Sequence, residues 1–362
     1  MNQIVHVVGA RPNFMKAAPV IAALRCHDGL QQLLVHTGQH YDKNMSDIFF
    51  QQLGMPEPDA NLEVGSGSHS VQTAQIMMGF EKWILKQKAN IVLVYGDVNS
   101  TMAATIVCSK LGIPVGHVEA GLRSFDRTMP EEINRLLTDQ IADLLLTPSS
   151  DGDENLLHEG ISRTKIRLVG NAMIDTLVRL LPEARELWKT PNLEQWRGRK
   201  YALVTLHRPS NVDDPEILGG IMHALSAIGK SMPAIFPVHP RTRNQLRTIP
   251  GLASVDNIHL VDPLGYLEFL ALQSEAVMVI TDSGGIQEET TYLGIPCLTL
   301  RENTERPVTV SVGTNILVGH NMARLHMEAT QIIEGRAKRG GVPPLWDGKA
   351  GERIASILSD YT

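Results

Sequence analysis

Two carboxylates stand where apolar runs end, and a third where a helical pattern begins. Asp97 follows Ile91 to Tyr95, Glu119 follows Val115 to Val118, and Glu131 lies in Pro130-Glu131-Glu132 at the start of a helical pattern. Acids gathered in one place can move protons on a sugar, as paired carboxyls do in glycoside chemistry. Glu131 and Arg135, four residues apart, also suit a plain helix-surface ion pair of about 0.3–0.5 kcal/mol. A second set of residues suits anions. Gly9-Ala10-Arg11-Pro12 with Lys16 follows the run Ile4 to Val8, and cations at a helix start oppose the dipole unless an anion sits there. Solvated helix-start cations are the bland alternative. In Asp282-Ser283-Gly284-Gly285, after Val277 to Thr281, the glycines let backbone amides approach phosphate oxygens. Glu288 and Glu289 in the following helical turn can accept ribose hydroxyls, or simply match the helix dipole. His207-Arg208 and His239, each after an apolar run, join Arg306 in outlining a diphosphate site unless they serve core or surface.

These residues need elements to place them. Short apolar runs alternate with helical patterns along the whole chain, which predicts parallel strands with crossover helices. In open parallel sheets, ligands bind outside the carboxyl ends of the strands, where the residues above fall. The fold class is α/β, with two Rossmann-like, doubly wound parallel-sheet domains. Leu-Gly-Ile-Pro occurs at 111–114 and again at 293–296, an internal echo of a true repeat or of αβ turns common to any such sheet. The expected domains are 1–169, carrying the acids, and 170–345, carrying the anion-seeking turn, with a terminal helix in 346–362 packing back on the first. In the helix after Pro130, the residues Ile133, Leu136, Leu137 and Ile141, continued by Leu144, are expected to mark the buried face.

Composition bounds the partners. At 362 residues the chain exceeds one ordinary core, and 43% hydrophobic with 20% charged residues is a globular balance. A net charge of -6 argues against nucleic acid as a partner. No apolar stretch suits a membrane span, and Met1-Asn2-Gln3 runs straight into a strand without a secretion signal. Cys26, Cys108 and Cys297 offer neither a disulfide framework nor a zinc spacing, so a reducing cytoplasm and no metal are expected. Without G-x-G-x-x-G after the first strand or a Walker A sequence, a dinucleotide or P-loop enzyme is disfavoured, and no cofactor is expected.

The motifs, taken in order, resemble the non-hydrolysing UDP-N-acetylglucosamine 2-epimerase family over nearly the whole chain. They are Gly9-Ala10-Arg11-Pro12 with Lys16, Gln39-His40, Gly96-Asp97, His117-Val118-Glu119-Ala120-Gly121-Leu122-Arg123, Pro130-Glu131-Glu132 with Asn134-Arg135, His207-Arg208, Pro237-Val238-His239, Asp282 to Glu289, and Thr304-Glu305-Arg306-Pro307. The resemblance implies a glycosyltransferase-B-like fold whose two domains face a central cleft. It implies that Asp97, Glu119, Glu131 and His207 carry or support catalysis. Arg11, Phe269, Ser283, Gly284, Gly285 and Glu288 would hold UDP, Phe269 stacking on the uracil. Lys16, Arg135, Arg208, His239 and Arg306 would complete the substrate site, and Gln39 and His40 match part of a regulatory nucleotide-sugar site. Thr37 to Asp42 and His207 to Asp214 look closer to a branch that epimerises modified sugars such as UDP-2,3-diacetamido-glucuronic acid.

The implied activity is the interconversion of UDP-N-acetylglucosamine and UDP-N-acetylmannosamine, or of a 3-acetamido uronic acid analogue, by a cytoplasmic homodimer serving polysaccharide biosynthesis. The C2 proton is not beside a carbonyl, so the route is loss of UDP to a 2-acetamidoglucal and its re-addition. A hydrolysing epimerase, a glycosyltransferase of the same fold and a non-catalytic nucleotide-sugar sensor are the rivals.

Overall fold

The computed structural model describes residues 2–39, 50, 52–249 and 257–361. The chain divides into two compact units, Met1–Thr176 with Pro344–Thr362, and Leu177–Pro343.

The first unit is built on strands β1 (Asn2–Val8), β2 (Leu30–His36), β3 (Ala60–Asn61), β4 (Ala89–Tyr95), β5 (Val115–Val118), β6 (Leu144–Thr147) and β7 (Ile166–Leu168). They form one parallel sheet in the order β3-β2-β1-β4-β5-β6-β7. Its central strands are almost unbroken apolar runs because helices cover both faces. The connections are α1 (Arg11–Leu24), α2 (His69–Ile84), α3 (Asn99–Leu111), α4 (Pro130–Ile141) and α5 (Ser150–His158). Val5, Val7, Phe80, Val92, Val94 and Leu145 lie in its core. Helix α6 (Ala172–Glu186) contains the division between the units. Its first turns stay with the first unit for a local reason: Thr176 Oγ1 donates to the Met15 carbonyl at 2.6 Å.

The second unit has α7 (Pro191–Glu194), β8 (Ala202–Thr205), α8 (Pro209–Val212), α9 (Pro215–Gly229), β9 (Ala234–Pro237), α10 (Pro240–Thr248), β10 (Ile258–Val261), α11 (Tyr266–Glu275), β11 (Met278–Thr281), α12 (Gly284–Leu293), β12 (Cys297–Thr299), α13 (Pro307–Ser311), β13 (Asn315–Leu317) and α14 (Met322–Ile333). Its parallel sheet runs β10-β9-β8-β11-β12-β13. Both sheets therefore share one doubly wound topology, reversing direction between β1 and β4 and between β8 and β11. Such a reversal leaves a crevice at the carboxyl ends of the two strands. The echoed Leu-Gly-Ile-Pro segments end α3 and α12 on the C-caps Gly112 and Gly294. Among the described residues, no helix is long and apolar enough to cross a membrane.

One expectation is overturned. Ile133, Leu137 and Ile141 are 45%, 45% and 37% exposed, whereas Glu132, Asn134, Arg135, Thr138 and Asp139 of the same helix are buried. Leu144 belongs to β6 and not to this helix. The polar face turns inward because the segment after β4, β5 itself and the segment after β5 offer it carbonyls, amides and charged partners. A hydrophobic pattern read alone cannot register such partners.

The terminal helix α15 (Ala350–Tyr361) packs on α1. Asp175 fastens it, accepting from Ala350 N at 3.1 Å and Gly351 N at 2.7 Å, and Trp346 Nε1 donates to the Pro148 carbonyl at 2.9 Å. Burial pushes the Asp175 carboxyl up from 3.8 to about 6, against the pull of the two amides. A carboxyl raised in the folded state contributes stability that is full below its unfolded value and is lost as pH rises through its folded value. Between about pH 4 and pH 7 the wild type should therefore lose up to about 3 kcal/mol relative to Asp175→Asn in thermal unfolding. Parallel pH curves for the two proteins would contradict this.

Candidate functional site

The site in the first unit grows from the ends of β1, β4 and β5. Asn13 ties the first two together: its Oδ1 accepts from Gly9 N and Ala10 N at 3.0 and 3.1 Å, and its Nδ2 donates to the Tyr95 carbonyl at 2.7 Å. From α1, Lys16 reaches under the turn after β4 and donates to Glu119 Oε2, both side chains being buried. Gly96 makes room for this pair. It sits at φ +63, and a Cβ there would lie 2.7 Å from Lys16 Nζ and 3.2 Å from Glu119 Oε2. Glu119 itself has φ +76, a left-handed conformation costly for a non-glycine residue and concentrated at functional sites.

Asp97, half-buried, accepts from Arg135 Nη1 at 2.5 Å, and its carbonyl accepts from Asn134 Nδ2 at 2.9 Å. Arg135 is 2% exposed and also binds Glu132 Oε2 at 2.6 Å. Glu132 accepts further bonds from Ser124 N, Ser124 Oγ and Phe125 N, each at 2.9 Å. Burial opposes its ionisation, but these donors and Arg135 hold its carboxyl below the usual range. A cavity of about 260 Å³ opens here, with Asp97, Glu131, Gln39, His69, Asn99 and Asn134 in its wall.

In the second unit the corresponding strand ends are β8 and β11. Asp282, fully buried, accepts from His207 N at 3.1 Å, Arg208 N at 2.9 Å and Asn211 Nδ2 at 3.0 Å. His207 Nδ1 lies 2.9 Å from Asp282 Oδ1, and its side chain is 60% exposed. Burial pushes Asp282 up, yet His207, Asn211 and the Arg208 amide outweigh it and keep the carboxyl below the usual range. Ser283, Gly284 and Gly285 are half-buried at the start of α12. A Cβ on Gly284 would come 2.5 Å from Arg306 Nη1 and 2.6 Å from Glu305 Oε1, so a larger residue there would push this pair aside. Arg306 is buried, with Nε 2.9 Å from Glu288 Oε1 and Nη1 bonded to Glu305. Burial pushes the neighbouring Glu289 carboxyl up to about 7, where Tyr266 Oη donates to it at 2.9 Å.

The residues singled out from sequence thus fall into two groups, one per unit. Asp97, Glu119, Lys16 and Arg135 are joined by ion pairs into the first site, with Glu131 in the wall of its cavity and Arg11 exposed at the start of α1. Gln39 lines the same cavity, and its Oε1 accepts from Ser100 N and Oγ at 3.0 and 2.7 Å. His40 lies outside the described residues. In the second unit His207, Arg208, Ser283, Gly284, Gly285, Glu288 and Arg306 cluster around Asp282 and the start of α12. His239 is exposed after β9, and Phe269 is half-buried on α11. Sequence reasoning passed over Asn13, Glu132, Asp139 and the anchoring part of Asp282. Of these only Asp282 carried a signal, its place at a strand end. Among the described residues no cluster of His, Cys, Asp and Glu is arranged to hold a metal ion.

The family model described as UDP-N-acetylglucosamine 2-epimerase matches residues 22–359. The chain is 44% identical over 365 residues to a UDP-N-acetylglucosamine 2-epimerase of Methanocaldococcus jannaschii, covering 98% of each. It is 41% identical over 360 residues to the UDP-2,3-diacetamido-2,3-dideoxy-D-glucuronate 2-epimerase of Pseudomonas aeruginosa, covering 99% of each. The crystal structure of the M. jannaschii UDP-GlcNAc 2-epimerase in complex with UDP-GlcNAc and UDP is similar with a TM-score of 0.89, at 44% identity over 99% of each chain.

Breaking a buried ion pair strands its other half, at about 3–5 kcal/mol. Lys16→Met should cost that much in urea unfolding, and adding Glu119→Gln should recover part of it. Costs that simply add would show the two groups to be uncoupled.

Proposed function

Because this chain belongs to the UDP-N-acetylglucosamine 2-epimerase family, and so is a nucleotide-sugar isomerase with a glycosyltransferase-B-like fold, we propose that it interconverts UDP-N-acetylglucosamine and UDP-N-acetylmannosamine by eliminating and re-adding UDP. The observation that carries this reading is the cavity with Asp97 and Glu131 in one wall. Glu119 stands beside Lys16 at the end of the neighbouring strand. In the forward half-reaction the C1–O bond breaks, UDP takes its electron pair, and the C2 proton passes to one carboxylate as the C1–C2 double bond forms. In the return, an acid on the other side of the ring delivers a proton to C2 and UDP attacks C1. Two faces need two differently placed proton-transfer groups, and Asp97, Glu119 and Glu131 supply them.

The nucleotide half of the substrate falls to the second unit. Phe269 stacks on the uracil, Glu288 takes the ribose, and the Ser283, Gly284 and Gly285 amides at the start of α12 face the diphosphate. Arg208, His239 and His207 add positive charge or donors where charge grows as UDP leaves, which favours the transition state over the ground state. Arg11 and Lys16 add cations from the first unit, and Arg306 fixes Glu288. The likeness to the diacetamido-glucuronate enzyme makes a 3-acetamido uronic acid the second substrate to assay.

We place the enzyme in the cytoplasm, in the supply of sugars for polysaccharide assembly, as a homodimer. The free thiols of Cys26, Cys108 and Cys297 suit a reducing compartment. The outward stripe of Ile133, Leu137 and Ile141 and the apolar hollow of about 480 Å³ beside Met77, Met102 and Ile133 favour a second copy as the partner of α4.

In deuterium oxide, proton NMR should show deuterium at C2 of the product, and Asp97→Asn and Glu131→Gln should each lower turnover about 10²–10⁴-fold. Product that keeps its original hydrogen refutes the scheme, and release of free N-acetylmannosamine identifies a hydrolase. Sedimentation velocity should find a dimer that Ile133→Glu with Leu137→Glu dissociates. A monomeric wild type, or a dimer indifferent to both changes, contradicts the assembly.

A further inference from the structure

Asp139 lies on α4 with no exposed surface and both carboxylate oxygens engaged by the protein; it is bonded directly to the segment that carries Glu119 and, through His117, linked to the one that carries Asp97. Its Oδ1 is 2.6 Å from His117 Nδ1. The other ring nitrogen of His117, Nε2, is 2.8 Å from the Gly96 carbonyl, an acceptor that makes Nε2 the donor. That carbonyl belongs to the peptide leading directly into Asp97. Asp139 Oδ2 accepts from Gly121 N at 3.0 Å and pairs with Arg123 Nη1 at 2.7 Å. Gly121 is two residues beyond Glu119, in the turn that holds Glu119 in its left-handed conformation. Arg123 is anchored in turn by Glu159, through Nε and Nη2 at 2.7 Å each.

Resting on the proton-transfer reading above, we infer that Asp139 is a positioning residue that sets the places of Asp97 and Glu119 relative to each other, through His117 on one side and the Gly121 amide on the other. By holding His117, which grips the Gly96 carbonyl after β4, and the Gly121 amide after β5, one carboxylate fixes the spacing of two groups that must reach opposite faces of one ring. Burial alone would raise the Asp139 carboxyl, but His117 and Arg123 outweigh it and hold it below the usual range, so it acts as an anion. A buried anion with three donors is rigid in a way that a solvated side chain is not. Its conversion to an amide keeps the shape while removing the charge and one acceptor. The effect is a displacement of the acids and not the loss of either.

The test compares wild type with Asp139→Asn, and with His117→Asn, which removes the link to Gly96 while leaving Asp139 in place. Each is assayed for kcat, KM, UDP affinity by calorimetry, thermal midpoint, and the ratio of C2 deuterium in recovered substrate to that in product. Small misplacements of reacting groups cost about 10²-fold in rate. We expect kcat to fall about 10²-fold in both variants with KM and UDP affinity unchanged, and the deuterium ratio to shift because the two acids are displaced unequally. Wild-type kcat and ratio in Asp139→Asn overturn the inference while leaving the function intact. So does a loss of kcat that tracks the thermal midpoint and UDP affinity, the mark of a merely structural residue. If Asp139→Asn does not fold, His117→Asn decides by the same criteria. Wild type that exchanges no deuterium overturns the proton-transfer reading and this inference together.

Discussion

A charge taken out of water must find its opposite or a set of aligned dipoles, since each buried ion otherwise costs several kcal/mol. The first unit meets this constraint at its strand ends with Lys16 against Glu119, Arg135 between Asp97 and Glu132, and Asp139 between His117 and Arg123. The second meets it with Asp282 against His207, and with Arg306 between Glu288 and Glu305. Buried ion pairs are often no more stabilising than apolar residues of similar size. What ion pairs add is direction. Each fixes a carboxylate at a definite angle and distance, as an acid or base working on one face of a ring requires.

The backbone supplies the places at which these pairs form. Both sheets reverse winding between their first and fourth strands in chain order, so each unit opens a crevice at two neighbouring carboxyl ends. In the first, the turns after β1 and β4 meet over Asn13. In the second, Asp282 draws together the backbone after β8 and the start of α12. Helix α4 adapts to the first crevice by turning Glu132, Arg135 and Asp139 inward and leaving Ile133, Leu137 and Ile141 outside. One helix thereby turns a polar face to the candidate site and leaves an apolar face outward.

Much of this was legible in the sequence. Nearly continuous apolar runs marked the central strands, and the polar residues following them marked the site, because a parallel sheet buries its strands and exposes their ends. The edge strands β3, β7 and β13 were not foreseen, being two or three residues long and without their own periodicity. The orientation of α4 was misread because its inward polar face is stabilised by partners far along the chain. Arg135 meets Asp97 38 positions away, and Asp139 meets His117 22 positions away. The same holds for Lys16 and Glu119, 103 positions apart, whose pairing no local pattern encodes. The motifs single out candidate residues, and only the fold shows which of them grip one another.

The proposed division of nucleotide recognition and proton transfer between the units suits a reaction in which the nucleotide leaves and comes back. The sugar loses its C1–O bond before its C2 configuration can change, so departure of UDP is the step on which the account turns. It is tested most directly with UDP-N-acetylglucosamine carrying ¹⁸O in the bridge between C1 and the β-phosphorus. The account predicts that the label scrambles into the non-bridging β-phosphate positions at least as fast as the epimer appears. Epimer formed with all the label still in the bridge would contradict it.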